Sequence, residues 1–140
     1  MSAQSEILIA WGDCDSAGIV YYPKYFYWMD VAFQTLLRQA GFSHHSIYQQ
    51  FGARVPILEA SAKFVAPATY DDRLTIAVDI VHWGTKSFHM SYQGARDGEL
   101  IFAGSEARVW AAVAADGTIT SAAIAAQFKQ ALTAIGRGEK

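Results

Sequence analysis

The stretch GDCDSAGIVYYPKYFYWMD, residues 12–30, places two acids either side of a cysteine, then a glycine, a proline and a crowd of aromatics. A carboxylate held beside the start of a helix is suited to acyl transfer. The acid can attack a carbonyl carbon or take a proton from water. The unpaired N–H groups at a helix start, with the positive end of its dipole, can stabilise charge growing on the carbonyl oxygen. Pro23 has no N–H and fits the first turn of such a helix. Gly18 lets the preceding loop turn sharply, so that an acid and a backbone donor face one point.

Other chemistries fit the residues less well. Asp13 and Asp15 have no further oxygen ligands close by, so no metal site is expected. Asp13 is instead expected to cap the loop through backbone N–H groups. Cys14 lies between two acids, a poor setting for a nucleophilic thiolate, and reads as a small packed side chain. His44 and His45 are adjacent and would diverge by about 100° on a helix. The four histidines, His44, His45, His82 and His89, do not form a zinc spacing. No Gly-x-Ser-x-Gly elbow, GxGxxG or phosphate-loop motif is present. Asp30 sits among Trp28, Met29, Val31 and Phe33, so its carboxylate needs a partner. Arg38 or a residue on a neighbouring strand would supply one.

These residues must be positioned by the elements around them. Ile7, Ile9 and Trp11 alternate along a first strand, and residues 12–18 read as a loop. From Pro23 to Ala40 the spacing of Phe26, Met29, Phe33, Leu36, Leu37 and Ala40 predicts a helix, with Gly41 as its stop. Only Lys24, Asp30 and Arg38 are charged there, so the helix should be almost enclosed by protein. Ser43 is expected to cap a short helix running to about Phe51. Strands are expected over 55–65, 73–83, 87–93 and 100–113, with a hairpin turn at Asp97-Gly98 and an end at Asp116-Gly117. Helical spacing returns over 121–135. Short connections favour antiparallel neighbours. The expected fold is α+β: a five-stranded antiparallel sheet wrapped around one long central helix. The outer sheet face carries Val81, Trp83, Ala103, Ala107 and Ala111, a surface suited to cover by a second copy of the chain.

The bulk numbers narrow the class. The 140 residues are 52% hydrophobic and 17% charged, enough for one domain (residues 1–140) with a real core. A net charge of -2 without any Lys/Arg run argues against nucleic acid as a partner. No apolar stretch reaches the roughly 18–20 residues that cross a bilayer, so no membrane partner is expected. The N-terminal residues lack the basic start of a signal peptide. Cys14, the lone cysteine, fits a reducing cytoplasm.

The 12–30 stretch resembles the signature of the hot-dog-fold acyl-CoA thioesterases of the 4-hydroxybenzoyl-CoA thioesterase class. FVAPATYDDRLTI (64–76) and KSF (86–88) resemble that family's later segments. The resemblance implies hydrolysis of an aromatic, 4-hydroxybenzoyl-like, or short acyl-CoA to the carboxylate and free CoA. It implies no metal and no cofactor, CoA being part of the substrate, and a homodimer that pairs further into a tetramer. By motif position, Asp15 becomes the nucleophile or general base and the Tyr22 N–H the carbonyl donor. Asp30 becomes the acceptor of a ring hydroxyl, while Tyr21 and Tyr25 line the acyl pocket. Lys86 becomes the nucleotide contact. Gly84 and Thr85 replace the basic residues of that turn, which shifts attention also to Arg54, Arg96 and Arg137. Two alternatives share the scaffold: a non-catalytic acyl-thioester binder and a dehydratase or hydratase. The last usually needs a histidine, and none lies in the loop or the central helix.

Overall fold

The computed structural model describes residues 3–136. Eight strands and three α-helices occur in the order β1 (Ala3–Leu8), α1 (Pro23–Gln39), α2 (His44–Phe51), β2 (Ala53–Arg54), β3 (Ile57–Phe64), β4 (Arg73–Trp83), β5 (Ser87–Arg96), β6 (Glu99–Val109), β7 (Ala111–Val113), β8 (Ile119–Ser121) and α3 (Ala126–Gly136). Five strands form one sheet in the order β1-β4-β5-β6-β3, every pair antiparallel. The sheet carries α1 against its inner face, which is the expected α+β hot-dog arrangement. Strands β2, β7 and β8 form a second, small sheet.

Helix α1 buries Tyr25, Trp28, Met29, Ala32, Phe33, Leu36 and Leu37. Those positions repeat at three- and four-residue steps and make one continuous stripe. Leu74, Ile76 and Val78 of β4 and Phe88, Met90 and Tyr92 of β5 face it from the sheet. Burying one such large side chain contributes roughly 1.5–3 kcal/mol, and these residues belong to one connected core cluster. Glycine is required at two close approaches, one to α1 and one to a neighbouring strand's ring. A Cβ at Gly104 would lie 2.7 Å from the Met29 sulfur, and one at Gly94 would overlap the Phe102 ring.

The helix ends follow local chemistry. Ser43 caps α2, its hydroxyl accepting from Ser46 N–H at 3.0 Å, while the Ser46 hydroxyl accepts from Ser43 N–H at 2.9 Å. Gly52 closes α2 in the left-handed region at φ 64°. Asp97 and Gly98 both take positive φ in the β5–β6 turn.

Several expectations need correction. Trp11 does not continue the core face of β1. The strand stops at Leu8, a 3-10 turn covers Trp11–Asp13, and Trp11 is 75% exposed against Tyr70. The last long strand is two: it breaks at Trp110, which turns into the core beside Phe128. Trp83 is not on the outer face. A bulge between Ile80 and His82 changes the alternation, so Trp83 packs on Phe88 and Phe128 while Val81 stays exposed. Ala111 is buried in the small sheet. Helix α1 is not almost enclosed either, because Tyr27, Arg38 and Gln39 are exposed.

Candidate active site

Residues 13–21 form a tight loop that delivers the chain into α1. Cys14 bridges Val20, Asp15 N–H donates to Ile19 O at 2.9 Å, and Tyr21 N–H donates to Asp13 O at 2.8 Å. Gly18 sits at φ 81°, a conformation that side chains rarely adopt, and its N–H donates back to Asp15 O. Asp13 has the expected capping role: its Oδ2 accepts from Ala10 N–H at 2.8 Å. Its Oδ1 pairs with Lys24 at 3.3 Å, tying the loop to the first turn of α1.

Asp15 lies at the turn of this loop, exposed, with Oδ1 accepting from Ala17 N–H at 2.9 Å. Tyr22 is the N-cap of α1 and Pro23 follows in the first turn. Among the described residues the Tyr22 N–H has no acceptor. A cleft of about 310 Å³ opens beside it, lined by Ile19, Val20, Tyr22 and Tyr25 on one side and by residues 64–68 on the other. The two walls are stitched together. Val20 N–H donates to Ala68 O at 2.9 Å, and the Thr69 hydroxyl donates to Gly18 O at 2.6 Å. Arg96 braces the second wall by donating to Pro67 O at 3.2 Å and pairing with Asp72 at 2.7 Å. The Thr69 N–H bond and the Arg96 guanidinium hold the Asp72 carboxyl below its ordinary range. Burial pushes the Tyr25 phenol up, so it remains a neutral donor on the cleft wall.

The sequence-predicted residues are not all brought together. Tyr22 and Tyr25 line the cleft; Gly18 does not, but turns the chain just before the cleft. Asp15 sits across the loop from Ile19, which lines it. Tyr21 does not line the cleft; it stacks edge-on against Tyr22, 52% exposed. Lys86 lies exposed in the β4–β5 turn and does not line the cleft either. Arg54 stacks over Tyr48, and Arg137 lies outside the described residues. His82 and His89 are exposed cross-strand neighbours with ring centroids 5.6 Å apart. Among the described residues no cluster of three metal-ligating side chains occurs, and no helix is long and apolar enough to cross a membrane.

Asp30 has the partner its setting requires, and that partner is Arg108 on β6, not Arg38. Arg108 Nη2 lies 2.9 Å from Asp30 Oδ1, and Gln34 Nε2 donates to Oδ2 at 2.9 Å. Behind them the Tyr92 hydroxyl donates to Glu106 Oε1 at 2.6 Å, and Arg108 Nε reaches the same oxygen at 3.4 Å. Burial raises the Glu106 carboxyl above its ordinary value and the Tyr92 phenol above its own. Arg108 and Glu106 escaped the sequence reading. Their signal is parity: Phe102, Gly104, Glu106, Arg108 and Trp110 share one face, so two opposite charges fall on an apolar side.

The family model of the thioesterase-like superfamily matches residues 9–134. A 4-hydroxybenzoyl-CoA thioesterase of Pseudomonas sp. (strain CBS-3) is 36% identical over 110 residues, which is 74% of this chain and 78% of that protein. A 1,4-dihydroxy-2-naphthoyl-CoA hydrolase of Thermosynechococcus vestitus is 30% identical over 84 residues, 60% of this chain and 58% of that one. Among solved structures, a variant of 4-hydroxybenzoyl-CoA thioesterase in complex with 4-hydroxybenzoyl-CoA superposes with a TM-score of 0.86. It is 30% identical, with 94% of this chain and 98% of that chain covered. A gentisyl-coenzyme A thioesterase superposes at 0.80, 31% identical, covering 90% and 98%.

Proposed function

Because the chain belongs to the thioesterase-like superfamily, we propose that it hydrolyses an aromatic, 4-hydroxybenzoyl-like, or short acyl-CoA to the carboxylate and free CoA. The observation that carries this is the free Tyr22 N–H at the head of α1, opening on an apolar cleft of ring size beside the Asp15 loop. The substrate class follows the relatives, which act on hydroxylated aromatic acyl-CoA esters by name.

The thioester carbonyl oxygen accepts from the Tyr22 N–H, helped by the positive end of the helix dipole. Such a donor is worth about 2.7–4 kcal/mol, or 10²–10³ in rate. Asp15 supplies the second part. Either it attacks the carbonyl carbon and water opens the resulting anhydride, or it takes a proton from the attacking water. In both routes the C–S bond breaks, CoA leaves as the thiol, and water's oxygen ends in the carboxylate.

Asp30 accepts a hydrogen bond from the ring hydroxyl. The eight helical rises from Tyr22 to Asp30 span about 12 Å of helix, a long reach for one hydroxylated ring held at the same helix start. In this reading Asp30 serves the substrate held at a partner's helix start, with a homodimer, itself paired into a tetramer, as the working unit. Support comes from β3, an edge strand of the sheet whose residues are almost all exposed, and from exposed Tyr22, Phe64 and Val65 lining the cleft. CoA's phosphates would be met by exposed basic residues such as Lys86. A reducing cytoplasm suits the lone Cys14.

Thiol release from a panel of benzoyl, hydroxybenzoyl, short aliphatic and hydroxyacyl CoA esters tests the reading. The expected result is turnover with preference for a hydroxylated ring. Tight ester binding without release from any member would make the protein a binder.

A further inference from the structure

Asp30 is gripped at both carboxylate oxygens, by Arg108 at Oδ1 and by Gln34 at Oδ2, each at 2.9 Å. The Arg108 side chain is only 4% exposed and has no freedom to swing. It also donates to Val55 O at 2.9 Å and to Glu106 at 3.4 Å, and its guanidinium carbon stands 4.0 Å from the centre of the Phe33 ring. Glu106 is fixed in turn by the Tyr92 hydroxyl. The Asp30 side chain nevertheless keeps 42% of its surface open. A carboxylate offers about four lone-pair directions. Two of Asp30's are taken from inside, so the remainder point outward from a group that cannot rotate. A carboxylate so held accepts a hydrogen bond but has none to donate. It welcomes a neutral hydroxyl and repels an anion or a bare acceptor.

We propose that Arg108 and Gln34 are positioning residues that set the acyl-group selectivity of this enzyme, aiming Asp30 at a ring hydroxyl; this rests on the hydroxyl-binding role proposed above for Asp30. Selectivity is thus written partly in the core, through the buried Arg108 of β6. A site arranged to bond a hydroxyl discriminates against the analogue without it, because its own polar group is then left unpaired. Loosening the clamp blurs that distinction while Asp30 remains in place.

The test compares kcat/KM for 4-hydroxybenzoyl-CoA and benzoyl-CoA in the wild type, Asp30→Ala, Gln34→Leu and Arg108→Lys. Lysine keeps the charge but cannot reach Asp30, Glu106 and Val55 O together. The wild type is expected to prefer the hydroxylated ester. That ratio should fall by about tenfold or more in each clamp variant, the loss of one well-made bond to a charged group. Neither clamp substitution should change the ratio further in the Asp30→Ala background. A merely structural clamp would lower both rates together and leave the ratio intact, which overturns the proposal. Should Arg108→Lys fail to fold, Gln34→Leu, at a half-buried position of α1, carries the same comparison. If Asp30→Ala leaves the ratio unchanged, the hydroxyl-binding role of Asp30 falls and this proposal with it. If Asp30→Ala abolishes the preference but the clamp variants keep it, only the clamp is refuted.

Discussion

The carbonyl of Gly18 accepts a 2.6 Å hydrogen bond from the Thr69 hydroxyl, 51 residues further along the chain. This bond joins the loop that carries Asp15 to the segment that forms the opposite wall of the cleft. Neither residue has chemistry of its own, yet together they fix the spacing between acid and wall. Thr69→Val keeps the shape and removes the donor. Because both residues are exposed, water replaces the lost partner, and stability should fall by only about 0.5–1.5 kcal/mol. Turnover should fall more than that, since small misplacements of catalytic groups are costly. Chemical denaturation and steady-state rates on one preparation check the two together; unchanged kcat would show that the tie does not position the loop.

Asp15→Asn isolates charge from geometry. The Asn side-chain oxygen can still accept from Ala17 N–H, so the turn should persist. The amide can neither take a proton nor attack a carbonyl. The expected loss in kcat is at least about 10²-fold, within the range for general-base catalysis, with the melting temperature nearly unchanged. Near-normal turnover in this variant would remove Asp15 from the mechanism.

Most of the fold was legible because its signals are local. The repeat through Met29, Phe33, Leu36 and Leu37, the alternation of Leu74, Ile76 and Val78, and the Asp97-Gly98 turn each depend on a few adjacent residues. What escaped depends on contacts distant in sequence. The break at Trp110 follows from Phe51 and Phe128 meeting its ring. The inward turn of Trp83 needs a bulge that nothing in the alternating run marks. At the site, the Asp15 loop and the head of α1 are contiguous in sequence and could be read. The Arg108 partner of Asp30 stands 78 residues away, and only strand parity hinted at it.

Removing Arg108 should be severe for stability as well as selectivity. Arg108→Leu leaves Glu106, whose side chain is 2% exposed, with Tyr92 as its remaining partner, and strands Val55 O. Breaking a buried pair in this way typically costs about 3–5 kcal/mol. Adding Glu106→Gln removes the orphaned charge and should return part of that loss. Urea unfolding of the single and double variants measures the recovery. If the double variant is no more stable than Arg108→Leu, Glu106 carries no charge penalty in the folded protein.

Acid should weaken the fold through His44. Burial lowers its pKa from the ordinary 6.5, and the nearby Arg108 charge acts in the same direction. The folded state thus binds fewer protons there than the unfolded chain. Its stability contribution is complete above pH 6.5 and is lost as pH falls through the depressed folded value. Glu106 works the other way. Its raised carboxyl contributes fully below 4.5 and loses that contribution as pH rises through its folded value. The two overlap, so wild-type stability alone does not separate them. His44→Gln does, because it removes one and keeps the other. Between pH 7.5 and 5.5 the wild type should lose more stability than His44→Gln, and the His44 ring should titrate below 6.5 by NMR. Equal pH slopes in the two proteins would mean that His44 is as readily protonated in the folded state as in the unfolded chain.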